Sequence, residues 1–279
     1  MNTKAQMKEL PSFWRTWAPY WSHQEDFLLD IEAINKLTTA IVGPVLVIGA
    51  GQGLLVERLQ LKGFKVEGVD LDPDMIMYAK SRRGLDLIQA NAKDMPFEDR
   101  TYKTSIIATG VVDFLSDEEE IRLIINEARR VTDDSGKVFV AFYRYHPEVE
   151  RALRDIGLIT DNGLNRFRRL YEMTMLSCCD RIGFIRAIKN EAKVGFFGAL
   201  WLLLKTQTRL PKKEKRERKG MAKLWRQARK ELDNPKSLID CLPEHIPYRN
   251  EEQIRNLFKN LNVPIRNMFI YDSCTLVQL

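Results

Sequence analysis

Cysteine and histidine are scarce in this chain of 279 residues, which contains four of the first and three of the second. Cys178 and Cys179 are adjacent, and no two cysteines have the CxxC spacing of a zinc or redox motif. The sequence therefore indicates neither a metal site nor a disulfide framework. We expect buried, reduced thiols in a cytoplasmic protein.

The chain also lacks a long, continuous apolar segment. Its longest uncharged stretch, residues 37–56, has the length of a membrane span, but it contains Pro44 and several glycines. The apolar centre of that stretch is the short run VLVI, which predicts a buried strand followed by a turn. The N-terminal residues have no apolar core of the kind found in secretory signals, so we expect none.

Excess positive charge is confined to one segment. The formal net charge is +6, yet residues 205–230 hold twelve Lys or Arg against two Glu and so contribute +10. The rest of the chain is therefore about −4. One basic segment in an otherwise acidic chain does not fit a general nucleic-acid binder.

From residue 45 onward, short apolar runs alternate with helical patterns, which is typical of a parallel sheet covered by helices. Five strands are predicted in this order, and a C-terminal hairpin around Asp272-Ser273 supplies two more. The sequence thus predicts a Rossmann-like α/β fold, with a mostly parallel seven-stranded sheet and helices on both faces. The predicted strands are 45–48, 65–69, 86–90, 104–109, 137–143, 265–271 and 274–279.

Capping residues mark the helix starts. Asp72 precedes Pro73, which fits the first helical position, and Asn250 precedes the helical pattern 251–261. Ser116 and Glu119 have the spacing of a capping box for a third helix.

Residues 146–247 interrupt the alternation, because they have helical patterns and no convincing strand. We therefore expect four parts: an N-terminal helical cap at 1–44, an α/β core at 45–145, a large helical insertion or lid at 146–247, and completion of the core by a helix and the hairpin at 248–279.

A glycine-rich turn, Gly49-Ala50-Gly51-Gln52-Gly53, follows the first predicted strand. Glycines at this place let a ligand approach the backbone closely, as dinucleotides and other nucleoside cofactors do. The dinucleotide pattern GxGxxG would need glycine at position 54, where Leu54 stands. Asp70, at the end of the second strand, can accept ribose hydroxyls from either cofactor class.

Three segments decide between these cofactors. They are VLVIGAGQGLL (45–55), VEGVDLDPDMIMYAK (66–80) and IQANAKDMPFEDRTYKTSIIATGVVDFL (88–115), followed by a helix and a strand down to Tyr143. As an ordered series over about a hundred residues, they resemble the class I methyltransferases that use S-adenosylmethionine (SAM). The resemblance is strongest to the branch with small-molecule acceptors, which includes the ubiquinone and menaquinone methyltransferases.

The resemblance implies SAM as cofactor and S-adenosylhomocysteine (SAH) as product. Thr109 and Gly110 would run past the methionine ammonium and the sulfur. Val47 stands where the family usually has an acidic residue, so another carboxylate, such as one from the N-terminal segment, would have to meet the ammonium. The residues implied to line the methionine portion are Gly49, Ala50, Gly51 and Gly53.

At the nucleoside end, the resemblance implies that Asp70 binds the ribose and that Leu71 and Met75 flank the adenine. The side chain of Asn91 would meet the adenine amino group, and the backbone N–H of Ala92 would meet the ring. The family tends to have aspartate where Asn91 stands, but the amide oxygen can accept the same proton.

Methyl transfer is an in-line displacement at a sulfonium, so an enzyme mainly positions the acceptor and removes a proton where needed. Asp113, after the fourth strand, is the first candidate base, and His146, after the fifth, is the second. Tyr20 lies in a segment that relatives fold over SAM and could cover its methionine end. A solvated or capping Asp113 and a loop His146 are the structural alternatives.

Residues 194–204 (VGFFGALWLLL) are apolar on all sides, are too short to span a bilayer, and run into the basic segment. They predict a lid over a hydrophobic acceptor or a surface resting on an anionic membrane, with a core helix as the plain alternative.

We expect a SAM-dependent methyltransferase (EC 2.1.1 type) that acts on a small, hydrophobic or lipid-like acceptor. We expect it in the cytoplasm, with peripheral membrane contact through 194–230 left open. The alternatives are an RNA methyltransferase using 205–230 and a non-catalytic SAM-fold binding or regulatory protein. Nucleic acid is the less favoured partner, because no RNA-binding module accompanies the basic segment.

Overall fold

The computed structural model describes residues 31–144, 245–271 and 274–279, with short pieces at 150–151, 154, 159–160 and 163–165. Within this part, the helices are α1 (Ile31–Ala40), α2 (Leu54–Leu61), α3 (Pro73–Arg83), α4 (Glu118–Val131) and α5 (Glu251–Asn260). The strands are β1 (Val45–Ile48), β2 (Val66–Asp70), β3 (Ile88–Gln89), β4 (Tyr102–Ile107), β5 (Thr132–Tyr143), β6 (Ile159–Thr160), β7 (Gly163–Asn165), β8 (His245–Ile246), β9 (Asn267–Ile270) and β10 (Cys274–Gln278).

Seven strands form one sheet in the order β3-β2-β1-β4-β5-β10-β9. Strands β1 to β5 are parallel, and β10 is antiparallel to both of its neighbours. The prediction of a mostly parallel, seven-stranded α/β sheet closed by a C-terminal hairpin is therefore confirmed.

Helices cover both faces of this sheet. Leu46 and Ile48 of β1 join one buried core with apolar residues of α4 and α5, whereas Val45 and Val47 join another with residues of α1, α2 and α3. Successive side chains of a strand point to opposite faces, so a continuous apolar run is expected when both faces are covered. Each such buried side chain contributes about 1.5–3 kcal/mol to folding.

The local signals at two helix starts are confirmed. Asp72 caps α3 by accepting hydrogen bonds from the backbone N–H groups of Asp74 and Met75, with Pro73 in the first turn. Asn250 caps α5 and forms a capping box with Gln253.

The predicted start of α4 is wrong by one residue. Asp117, not Ser116, caps this helix, and its carboxylate accepts from the backbone N–H of Glu119. Because the helix begins at Glu118, Ser116 lies one residue too early to form the predicted box.

Strand ends also differ from the predictions. β3 is only two residues long, β4 starts and ends two residues earlier than predicted, and β5 begins at Thr132. Tyr102 pairs with Thr132 but Thr104 pairs with Lys137, so residues 133–136, which precede the predicted strand 137–143, form an irregularity inside β5.

The chain divides into two compact units, one of residues 25–145 with 247–279 and the other of 1–24 with 146–246. In the second unit, β6, β7 and β8 form a small antiparallel sheet. The expectation of no strand in 146–247 is therefore wrong. Strands of two or three residues are too short for an alternating pattern to appear in a sequence.

Candidate functional site

The chain order of the large sheet reverses between β1 and β4. From β1 the chain moves outward to β2 and β3, and it then returns to β4 on the other side. In open parallel sheets, ligands bind at the carboxyl ends of the two strands where this reversal occurs. The glycine-rich turn follows β1 and the loop 108–115 follows β4, so both candidate segments lie at this edge.

Gly49, Gly51 and Gly53 all have positive φ, at 73°, 55° and 82°. Glycine adopts this conformation without the steric cost that a side chain would add. A Cβ on Gly49 would lie 2.1 Å from Cγ2 of Val111, whereas a Cβ on Gly51 would meet nothing within 4 Å. Gly49 is thus needed for packing against the β4 loop, and Gly51 leaves the turn open.

Asp70 at the end of β2 is tied to this turn. The backbone N–H of Gly51 donates to Asp70 Oδ2 at 2.7 Å, and that of Asp72 donates to Oδ1 at 2.9 Å. Burial raises the pKa of Asp70, and these backbone hydrogen bonds oppose the rise. A carboxylate has about four lone-pair sites, so each oxygen can still accept a hydroxyl proton.

Leu71 and Met75 differ in exposure. Leu71, which directly follows Asp70, is 57% exposed, while Met75 in the first turn of α3 is 5% exposed. Leu71 therefore presents an apolar surface beside Asp70, and Met75 is packed inside the protein. The roles of both beside adenine stay predictions.

Asn91 and Ala92 follow β3 in a tight turn. The side-chain oxygen of Asn91 accepts from the backbone N–H of Lys93, and its carbonyl accepts from that of Asp94. The turn is held to α4, because Lys93 pairs with Glu120. Since Asn91 is exposed and Ala92 is half-buried, the predicted adenine contacts are left accessible.

Arg83 supports the turn, and sequence reasoning missed it. Its Nε donates to the carbonyl of Gln52 at 3.1 Å, and its guanidinium pairs with Glu57 of α2. The side chain of Arg83 is only 8% exposed. No motif links position 83 to the glycines, so its role could be found only from the fold.

The β4 loop carries the other predicted residues. Gly110 has a φ of 87° with nothing within 4 Å of a Cβ position, and Thr109 precedes it at the start of the turn. Asp113 is buried, and its Oδ2 accepts from the backbone N–H groups of Gly110 at 2.9 Å and Tyr143 at 3.1 Å. Burial raises the pKa of Asp113 to about 6, although both backbone hydrogen bonds and Arg249 lower it.

Arg249 is a second residue that sequence reasoning missed. Its guanidinium donates to the carbonyls of Val112 at 3.3 Å and Leu115 at 2.6 Å. Burial lowers its pKa, while the charges of Asp113 and Glu118 oppose that shift. The loop after β4 is thus braced by a residue far along the chain.

Some predicted features lie outside the described residues. They are Tyr20, His146, the apolar run 194–204 and the basic segment 205–230. Val47, where the family usually has an acid, is fully buried in the core on the α1 side of the sheet. The source of a carboxylate for the SAM ammonium stays a prediction.

In the described part of the chain, no helix has both the length and the apolar character needed to cross a bilayer. Among the same residues, no group of three or more His, Cys, Asp or Glu side chains is placed to hold a metal ion. Cys274 is a buried thiol in β10.

Comparisons with known proteins bear on the same segments. Residues 45–136 match a family described as a methyltransferase domain. An uncharacterized methyltransferase of Staphylococcus carnosus is 28% identical over 141 residues, which cover 47% of this chain and 67% of that protein. An uncharacterized protein of Methanocaldococcus jannaschii is 32% identical over 111 residues, which cover 40% of this chain and 49% of that protein.

Among solved structures, the glycopeptide N-methyltransferase MtfA complexed with SAM is 22% identical, with a TM-score of 0.37, over 40% of this chain and 50% of that one. The chain spans about half to two thirds of the length of these relatives. The strand order, the glycine turn at the reversal point and the match of residues 45–136 to a methyltransferase domain all agree with the resemblance to class I SAM-dependent methyltransferases.

Proposed function

We propose that this chain binds SAM between the carboxyl ends of β1 and β4 and transfers the methyl group to a small, hydrophobic acceptor. The observation that carries this proposal is the contact between Asp70 and Gly51. It joins the carboxylate suited to a ribose to the open turn suited to the rest of the cofactor.

The residues present fit this cofactor. Gly51 and Gly110, which stand after β1 and β4, both have positive φ and open space where a side chain would project. A ligand can therefore approach the backbone closely on both sides of the crevice. Between them, Asp70 offers oxygens for hydroxyls, and Leu71 offers an apolar surface for a base.

SAM supplies a methyl group on an electrophilic sulfonium. The chain's own residues would bind and orient: Asp70 would hold the ribose hydroxyls, and the turn 49–53 would hold the methionine portion. The turn is itself fixed by Arg83 at Gln52. Such positioning lowers the entropic part of the barrier for an in-line displacement.

The catalytic roles of Asp113, His146 and Tyr20 are proposals of the same kind. A pKa of about 6 suits Asp113 to proton transfer near neutral pH. Asp113 is also occupied by two backbone N–H groups, which is the arrangement of a carboxylate that braces a loop. The apolar run 194–204 supports a hydrophobic acceptor.

Isothermal titration of the full chain with SAM and with SAH tests the binding step. We expect Asp70→Ala to weaken SAM binding by at least about tenfold, because hydrogen bonds to a charged group are lost. Asp86→Ala is the matched control, since Asp86 is an exposed carboxylate that pairs with Lys80 at the surface. No heat with either ligand, or equal affinities in the two variants, would contradict the proposal.

The acceptor is tested in the same protein by measuring SAH release. Apolar phenols and quinols are expected to stimulate it and total RNA is not. Release with RNA alone would support the RNA alternative, and tight SAM binding without any release would support the non-catalytic one.

A further inference from the structure

The loop from Thr109 to Leu115 is held through both kinds of backbone group. Asp113 accepts from the N–H of Gly110 and from that of Tyr143 at the end of the neighbouring strand, β5. Arg249 donates to the carbonyls of Val112 and Leu115. One side chain satisfies backbone donors and the other satisfies backbone acceptors, so both kinds of backbone group are paired at this loop.

The two side chains also attract each other. The charge of Arg249 lowers the pKa of Asp113, and the charge of Asp113 opposes the effect of burial on Arg249. Glu118, at the start of α4, is the other carboxylate that acts on Arg249. Removing Arg249 would leave the buried carboxylate of Asp113 without this favourable charge, which is costly.

The same loop touches the glycine turn. Val111 packs against Gly49 so closely that a Cβ there would lie 2.1 Å from its Cγ2. A displacement of the loop would therefore also displace Gly49, because closely packed groups do not move independently.

We propose that Arg249 is a positioning residue for methyl transfer, which acts with Asp113 to fix the backbone of residues 110–115 beside the methionine end of SAM. This inference rests on the proposed function, since it assigns the loop a place beside that cofactor. Arg249 touches no reacting atom and acts through the carbonyls that it holds.

The test compares Arg249→Gln and Arg249→Lys with Arg255→Gln in the full chain, by isothermal titration with SAM from pH 5 to pH 8. Arg255 is an exposed arginine on α5, so its substitution removes the same charge without touching the loop. We expect Arg249→Gln to weaken SAM binding about tenfold or more and Arg255→Gln to leave it unchanged. Arg249→Lys keeps the charge but not the planar guanidinium that donates to two carbonyls, so an intermediate loss of SAM affinity is expected.

The pH profile separates positioning from a contribution to stability alone. In the wild-type chain, SAM affinity should change near pH 6, where Asp113 titrates. In Arg249→Gln that midpoint should move to higher pH, because the neighbouring cation is gone. Arg249→Lys keeps the charge, so its midpoint should stay near that of wild type; if the glutamine variant does not fold, the loss of SAM affinity in Arg249→Lys is the test.

Equal affinity and an unmoved midpoint in folded Arg249 variants would overturn the inference, even if their thermal midpoints fall. Failure of the wild-type chain to bind SAM or SAH would instead overturn the proposed function, and the inference with it.

Discussion

The glycine turn after β1 and the loop after β4 face each other across the crevice, yet different parts of the chain hold them. The turn is set by its own glycines and by Asp70, which lies 19 residues after Gly51. The loop has one such glycine, and its carbonyl at Leu115 accepts a hydrogen bond from Arg249, 134 residues further along the chain. Local sequence thus shapes one side of the site, while the completed fold shapes the other.

The two sides meet at Gly49 and Val111, so the largest effect is expected there. Gly49→Ala adds a Cβ 2.1 Å from a stiff, β-branched side chain and places it at a φ of 73°. We expect a loss of about 2–5 kcal/mol in the free energy of unfolding, from left-handed strain and overpacking together. Urea denaturation gives this quantity.

Gly63→Ala is the control for strain without crowding. Gly63 has a φ of 87° but nothing within 4 Å of its Cβ position, so about 1–2 kcal/mol is expected. Equal losses in the two variants would show that Val111 does not limit the turn.

The second largest effect is expected at Asp113 in the loop after β4, and it is a change of the free energy of unfolding with pH. Its folded-state pKa of about 6 lies above the ordinary 3.8, so the native state binds more protons between these values. The free energy of unfolding therefore falls as pH rises from about 4 to about 6, by up to about 3 kcal/mol from this group. Asn can accept the same two N–H bonds but does not titrate.

Denaturation of wild type and Asp113→Asn at pH 4.5 and pH 7.5 measures this contribution. We expect the variant to lose less stability than wild type between the two pH values, because Arg249 only partly offsets the burial of the carboxylate. A parallel pH dependence in both proteins would mean that Asp113 does not titrate in this range.

The features that the sequence predicts are those set by nearby residues, like the glycine turn, rather than by distant ones, like the loop after β4. The run from β1 through the turn to Asp72 was predictable, because glycines, a capping aspartate and a proline act within a few residues of themselves. The sheet was predictable from alternation, including its C-terminal hairpin. These features are set by residues that lie close together in the sequence, so they can be predicted without the tertiary structure.

Features that depend on distant pairing could not be predicted. β5 begins at Thr132, which pairs with Tyr102 of β4, and residues 133–136 are accommodated as an irregularity. Arg249 was missed because an arginine between a strand and a helix cap has no pattern of its own. The burial of Met75 was likewise set by packing rather than by its position after Asp70.

Arg83 gives the smallest expected effect and shows that the locally determined side also has a distant brace. It lies 31 residues after Gln52, whose carbonyl it holds, and its pair with Glu57 is partly buried. A double-mutant cycle with Arg83→Gln and Glu57→Gln should give a coupling of about 1–2 kcal/mol, because a buried, hydrogen-bonded pair is poorly screened.

The cycle for Lys80 and Asp86 is the matched control on the same helix. That pair is 59% and 82% exposed, so a coupling below about 0.5 kcal/mol is expected. If the two couplings are equal, the pair of Arg83 with Glu57 contributes no more than an exposed ion pair does. If Arg83→Gln also weakens SAM binding while Lys80→Gln does not, the glycine turn resembles the loop after β4. Each would then be stabilised by an arginine that lies outside it in the sequence and donates to its backbone carbonyls.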